Sequence, residues 1–579
     1  MTARSHAVFS TLLCFVLASG ATQAANQAAT FSDDPGASQR VALAGAVVFD
    51  HPSGFYQSAF ALALSARAER VMVYYTTNGA SPQPASALLY THPITITTTT
   101  IVRAAAFSQQ TNLAGAAART YLFVPDILRQ TGARFPRVWG TNEGQPISAH
   151  YSMATADAEN AASRQAVAEG IRSGVTLSII ADPGDLFSWE TGIYVHPQER
   201  GAAWERPVLV EMIDAEGRPT FQCGGGLRVH GGMSRHPEES PKHSFRLAFR
   251  PRYGSARLHF PVFGPGGVQE FDTLILRAGN NNSWLDSNGE GRRRADYIRD
   301  EWMRQSMLAM GYPSARGIFV HLYLNGLYWG LYNLCERPSA SLLASDQTDP
   351  AVGFDARKAS KMESGDEVAW DNMMALANSG VSDERSYEEI GQHLDLTELV
   401  DYLILNFYAG NSDWDRSANW FAARPRTPGG RFRFLVWDAE RTLEDIEADT
   451  LDFDDDQSPP RLFHKLSENS AFRRLFAARV QRLLFDDGPL APGVSAERYQ
   501  TLANAVAKPL TAEAARWGTY RRDVHQYKTG PYECYTVAGH WQPEADRILT
   551  RYFPGRRGIL LNQFRERGLF PPITPPIRN

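Results

Sequence analysis

Three oxygen-bearing side chains of the 579-residue chain, Asp413, Asn419 and Asp438, sit within one stretch where a loop and the strand after it could bring them to one divalent ion. The run Asn411-Ser-Asp-Trp-Asp-Arg-Ser-Ala-Asn419 is the densest polar cluster set among apolar neighbours. It is followed by Trp420-Phe421, a Pro428–Gly430 turn and Phe432-Arg-Phe-Leu-Val-Trp-Asp438. This order reads as loop, strand, turn, strand, and it brings an acid and a carboxamide from one loop toward an acid that closes the next strand. Carboxylate and amide oxygens are hard ligands of the kind Mg²⁺ takes, usually one or two from protein with water and phosphate filling the rest. A further carboxylate accepts the proton of an attacking hydroxyl, and a strand lysine contacts the phosphates. Lys242 is the candidate for that contact. Each residue alone has a plainer reading, since Asx residues form turns and strand lysines are solvated; their order along one chain favours the chemistry.

Those residues need a frame. In Lys242-His-Ser-Phe-Arg-Leu-Ala-Phe-Arg250, Phe245, Leu247 and Phe249 fall on one face of a strand and Lys242, Ser244 and Arg246 on the other. The spacing predicts a helix from about 295 to 310, stopped by Gly311 and Pro313. A hairpin over Ile318–Leu324 and Leu327–Tyr332 turns on Asn325-Gly326, which suits a two-residue turn with both φ positive. Helices are expected near 366–379 and 396–409, and mostly helical content beyond 452. Cys223-Gly-Gly-Gly226 and Gly231-Gly232 either cover phosphates or mark strand irregularities, and the second reading is the commoner one for glycine beside strands. The acidic stretch Glu444–Asp456 lacks the glycine and distal glutamate of a calcium loop and reads as a solvated acidic segment.

Composition bounds the rest. Fifty-eight basic against 63 acidic residues leave a formal charge of −5, with 43% hydrophobic residues. This is globular composition without the basic excess of a nucleic-acid binder. Arg4 and His6 precede an apolar run from Ala7 to Ala18 and small residues up to Ala24, the pattern of a secretory signal over 1–24. No later run reaches 18 apolar residues, so the mature chain is expected to be exported, extracellular, at the cell surface or periplasmic, without a membrane span. Cys223, Cys335 and Cys534 remain after cleavage. Either two of them pair or all three are buried thiols, and a chain of this size favours the second.

Two resemblances follow from these residues. Pro52-Ser-Gly-Phe-Tyr56, Tyr74-Tyr-Thr-Thr-Asn-Gly79, Tyr90, Pro93-Ile94, Ile101-Val-Arg-Ala104 and Thr120-Tyr121 resemble the immunoglobulin-like C-terminal domain of chitobiase and β-hexosaminidase. That resemblance implies an accessory all-β sandwich over 45–125, with a glycan or cell-wall polymer as its contact. Gly231-Gly-Met-Ser-Arg235, Pro241-Lys-His-Ser-Phe-Arg246, Ile298-Arg-Asp-Glu301, Tyr323-Leu-Asn-Gly326, Gly330-Leu-Tyr332, Glu336, Asp413-Trp, Asn419-Trp420, Trp437-Asp438 and Leu462-Phe-His-Lys-Leu466 resemble the spore coat protein H (CotH) kinase family. The resemblance covers about 175–485 and implies an α+β atypical protein-kinase-like domain. It would be followed by a helical extension over 486–570 and a Pro-rich tail over 571–579, making a multidomain chain.

That family implies transfer of the ATP γ-phosphoryl group, with Mg²⁺ or Mn²⁺, to Ser or Thr of a secreted or surface protein. By resemblance, Asp413 is the catalytic acid, Asn419 and Asp438 are metal ligands, Lys242 and Arg246 are phosphate contacts, and Glu336 is a lysine partner or nucleotide-edge residue. Asp413 and Asn419 are six positions apart where the ordinary kinase loop has five, so Asp415 competes as the base. Trp437-Asp-Ala-Glu440 replaces the family's Trp-Asp-Leu-Asp. The alternative is an envelope scaffold or glycan-binding protein that keeps a kinase-like fold without catalysis. A glycosidase is disfavoured because no paired-carboxylate site is evident.

Overall fold

The computed structural model describes residues 47–108, 111–112, 115–153, 161–264, 267–344, 352–415, 418–527 and 532–571. The expected export signal, and the tail beyond Pro571, lie outside the described residues. Among the described residues no helix is long and apolar enough to cross a membrane, and Cys223, Cys335 and Cys534 are all unbridged. Burial raises the thiols of Cys223 and Cys335 to about 12.

The N-terminal part is all-β. Its main sheet runs in the order Gly54–Phe55, Ala117–Leu122, Thr100–Ser108, Met72–Thr76, Leu88–Leu89, and Gly79 (φ 89°) sits in the turn after Met72–Thr76. Along Thr100–Ser108 the period of two sends Val102, Ala104 and Ala106 into the sandwich's own core. Ile101 goes the other way, packing with Ala118 against Ile180 and Leu209 of the next domain. Both faces of this sheet are therefore used, and the sandwich is fused to its neighbour.

Polar groups seal the same junction. The Ser53 hydroxyl donates to Glu211 Oε1 at 2.5 Å while accepting the Thr120 amide at 3.1 Å, and the Thr120 and Ser178 hydroxyls lie 2.8 Å apart. Glu211 is buried and its Oε2 has no hydrogen-bond partner. Burial raises its carboxyl above the ordinary glutamate value of 4.5, against the opposing pull of Ser53 and Arg119. A raised carboxyl keeps its proton in the folded state at pH values where the unfolded chain has lost it, so stability falls as pH rises through that window. Glu211→Gln is expected to remove up to about 1.4 kcal/mol of that loss per pH unit. Denaturant midpoints from about pH 4 to about pH 8 should therefore slope less in the variant, which becomes the more stable protein at the alkaline end.

The second domain opens with a closed seven-stranded barrel in the order Val175–Ala181, Arg206–Ile213, Pro219–His230, Ser244–Ala248, Thr273–Arg277, Leu327–Glu336, Gly317–Leu324. Closure is by parallel pairing of the first strand with Gly317–Leu324, and the other pairs are antiparallel. Phe245, Leu247, Leu274, Leu276, Val320 and Leu334 fill the barrel, so the alternation read around Phe245 holds. Asn325 (φ 47°) and Gly326 (φ 80°) form the two-residue hairpin turn. Three glycines of Cys223-Gly-Gly-Gly226 lie inside a strand. A Cβ on Gly224 would meet Tyr253 O at 1.9 Å, and one on Gly226 would meet the Tyr253 ring at 2.5 Å, so these two serve close packing.

The third layer is a four-stranded sheet, Lys361–Ser364, Phe354–Lys358, Trp420–Pro425, Arg433–Val436, backed by helices that include Val368–Ser379, Leu396–Tyr408, Pro459–Ser467 and Ser470–Leu484. The helix expected from 295 begins later, at Arg299. Tyr297 is left-handed (φ 68°) and the Asp296 carboxylate takes the amides of Ile298 and Arg299. Helix Pro509–Trp517, from the C-terminal part, inserts Trp517 into the barrel's aromatic core and lies against Leu327–Glu336.

Candidate active site

Helix Leu396–Tyr408 is capped by Asp395, which accepts the Glu398 amide at 3.0 Å, and it ends at Gly410 (φ 57°). A Cβ there would lie 2.9 Å from that of Ala448, so only glycine lets the chain turn under segment 445–448. Asn411 closes the turn, its Oδ1 accepting the Asp413 amide at 3.2 Å. Trp414 is buried between Tyr402 and Phe407, with ring centroids 5.8 and 5.7 Å away. This anchor leaves Asp413 half-buried at the surface.

Asp413 and Asn419 meet. The Asn419 amide nitrogen donates to Asp413 Oδ2 and to the Asp413 carbonyl, both at 2.8 Å. Asn419 (φ 66°) and Asp438 (φ 64°) both adopt the left-handed conformation, which Asn and Asp tolerate best. Trp420 pairs with Val436, so the same register sets Asn419 and Asp438 at one end of the hairpin. The Ser412 amide donates to Arg441 O at 3.1 Å, tying the Asp413 loop to the segment after Asp438.

Around Asp438 three carboxylates share one guanidinium. Arg277 Nη2 lies 2.5 Å from Asp438 Oδ1 and 2.6 Å from Glu440 Oε1, its Nε is 3.4 Å from Asp300, and it stacks over Trp437 at 4.7 Å. Asp300 Oδ1 also accepts the Ala439 amide at 2.9 Å, fixing the turn. Partial desolvation raises the Asp438 carboxyl, but Arg277 and Lys358 outweigh it and hold the group below the usual range. Burial and the neighbouring carboxylates push Glu440 up to about 7. The Asp438 side chain is 39% exposed, against 8% for Asp300 and 10% for Glu440, so it is the carboxylate of the three that a dissolved ion reaches.

The accessible donor fits a hard divalent ion, because it is the carboxylate of Asp438, which is more exposed than Asp300 or Glu440. Among the described residues no three His, Cys, Asp or Glu side chains are arranged to hold a metal. Asn419 and Asp438 precede and follow the paired ends of one hairpin, the register Trp420 with Val436, and Mg²⁺ commonly takes only one or two protein oxygens when phosphates complete its shell.

A row of cations leads away from Asp438 along the outer face of the barrel. Arg228 pairs opposite Arg246 and His230 opposite Ser244, with Arg277 alongside Ser244. Burial, then mutual repulsion with Arg337, Arg228 and Arg250, lowers the Arg246 guanidinium to about 10, and its buried Nε has no hydrogen-bond partner. His230 is held well below its ordinary value by burial and by Lys358, Arg277 and Arg337. Arg228, Arg246 and Arg337, which repel one another here, leave positive potential for an anion.

Lys242 is elsewhere. Its ammonium makes a fully buried pair with Glu513 at 2.7 Å and donates to Leu331 O at 2.7 Å and Ala278 O at 3.5 Å. Three N–H groups are thus committed inside the protein, and none remains for a phosphate. The lysine beside Asp438 is Lys358, at the end of Phe354–Lys358. Glu336 does not partner Lys242; it is buried and accepts the Arg316 amide at 2.7 Å. Sequence reasoning missed Arg277, Asp300, Lys358 and Glu513. An arginine closing the apolar strand Thr273–Arg277, and the acids in Ile298-Arg-Asp-Glu301, were the available signals.

An all-β N-terminal region followed by a barrel and a helical lobe is the multidomain α+β arrangement expected of the chain. The family model described as CotH kinase protein matches residues 227–550, more than half of the chain, and the chain belongs to that family. The chitobiase/beta-hexosaminidase C-terminal domain model matches residues 51–116, within the sandwich. No curated protein shows a significant match.

Proposed function

We propose that the protein is an exported atypical kinase that transfers the γ-phosphoryl group of ATP to a Ser or Thr hydroxyl of a secreted or surface protein. Asp438 and Asn419 would hold Mg²⁺ or Mn²⁺, which neutralises phosphate charge when bound. The row Arg277, Lys358, Arg246 and Arg228 attracts the phosphates, and Asp413 accepts the proton of the attacking hydroxyl. The single observation that supports this reading is the hydrogen-bonded Asp413–Asn419 pair, set by the Trp420–Val436 register at the same end of the hairpin as an exposed Asp438 that Arg277 contacts. In such chemistry the protein chiefly positions groups and neutralises charge.

A ligand that binds only the folded state raises its melting temperature. ATP with Mg²⁺ or Mn²⁺ is therefore expected to raise the melting temperature of the mature chain, and Asp438→Ala to abolish the rise. An unchanged melting temperature with both metals would overturn the reading in favour of an envelope scaffold. Export, and glycan or cell-wall contact through the sandwich, belong to the same proposal; detection of the signal-cleaved chain outside the cytoplasm tests the first.

A further inference from the structure

We infer that Arg277 is a built-in counter-ion that the divalent metal must displace from Asp438, and that the displaced guanidinium then serves the phosphates. This rests on the nucleotide reading above. A single nitrogen, Nη2, bridges Asp438 Oδ1 and Glu440 Oε1 at 2.5 and 2.6 Å. A Mg²⁺ ion at about 2.0–2.1 Å from Oδ1 would occupy the space this N–H fills, and a metal on the other oxygen would face a cation across one carboxylate. Metal and arginine therefore compete for Asp438. Arg277 has somewhere to go, because the residue two ladder steps away on the adjacent strand is Arg246, and Trp437 beneath the guanidinium provides a surface on which it can swing. Asp300 keeps hold of Nε at 3.4 Å and of the Ala439 amide, so the turn that carries Asp438 stays in place as Nη2 lets go.

The consequence is mutual dependence. Metal alone binds weakly because it must part Arg277 from Asp438, the most exposed of its three carboxylates, beside other cations; nucleotide supplies a replacement anion, so each ligand strengthens the other by the same factor. The test is titration of Mn²⁺ alone, ATP alone and both together, by calorimetry and by the paramagnetic resonance of free Mn²⁺, on the full mature chain and on Arg277→Gln. The variant is expected to bind Mn²⁺ alone at least about tenfold more tightly, to bind ATP at least about tenfold more weakly, and to lose most of the dependence of one on the other. Arg277→Lys, which keeps the charge but not the fork, guards against misfolding of the neutral variant and is expected to show the same changes more weakly.

Mn²⁺ affinity equal to or below wild type in both variants would overturn the inference. Parallel weakening of Mn²⁺ and ATP, which a merely structural role produces, would overturn it too. Tighter Mn²⁺ in the variants with no ATP binding to the wild-type chain would instead overturn the nucleotide reading and leave the counter-ion role standing, so the two failures are distinct.

Discussion

Asp413→Asn is expected to lower phosphoryl transfer by about 10²–10⁴-fold, the usual worth of a positioned general base, while ATP and metal still raise the melting temperature. The side chain keeps its shape, and the loop keeps its anchors. Trp414 stays between Tyr402 and Phe407, and Ser412 stays bonded to Arg441 O. What is lost is the ability to take a proton at Oδ2, the oxygen that Asn419 orients at 2.8 Å. Asp415→Asn is the matched comparison. If Asp413 is the base, the Asp415 variant keeps transfer within about tenfold; a collapse in Asp415→Asn with activity retained in Asp413→Asn would reassign the role. Transfer of labelled γ-phosphoryl to a serine-containing protein acceptor in a single turnover reads the chemical step directly. Melting shifts with Mn²⁺ and ATP read binding in the same samples.

What was legible before any coordinates follows separation along the chain. Asp413 and Asn419 lie six residues apart along the chain, and their contact is a local one. Strand alternation at Phe245 and Leu247, and the Asn325-Gly326 turn, rest on local periodicity and backbone sterics. The pair Lys242 and Glu513 spans 271 positions, and closure of the barrel joins Val175–Ala181 to Gly317–Leu324. No local pattern encodes either. Parity alone put Lys242 on the face of Ser244 and Arg246. The strand begins only at Ser244, and two residues earlier the backbone is free to send the lysine into the gap between barrel and helix Pro509–Trp517. Arg277 was hidden for a related reason: its meaning comes from Asp300, Asp438 and Glu440, which the fold gathers from two separate stretches.

Lys242 offers the sharpest separation of fold from chemistry, because its removal is expected to unfold the protein before it can affect catalysis. Lys242→Met leaves Glu513 charged, buried and without its counter-ion, a change worth roughly 3–5 kcal/mol of destabilisation. Methionine matches the length of the stem, so little of the loss comes from an empty space. Adding Glu513→Gln removes the stranded charge yet keeps a carbonyl oxygen for the Leu331 amide, which Glu513 Oε2 now accepts at 2.7 Å. The double variant is therefore expected to recover at least about half of the loss in a denaturant midpoint, the non-additivity expected of two residues in direct contact. With stability restored, the affinity for ATP and Mn²⁺ should match wild type within about twofold, since the three N–H groups of Lys242 are committed to Glu513, Leu331 and Ala278. A tenfold weaker affinity in a stable double variant would return the phosphate contact to Lys242 and require the helix bearing Glu513 to move when nucleotide binds.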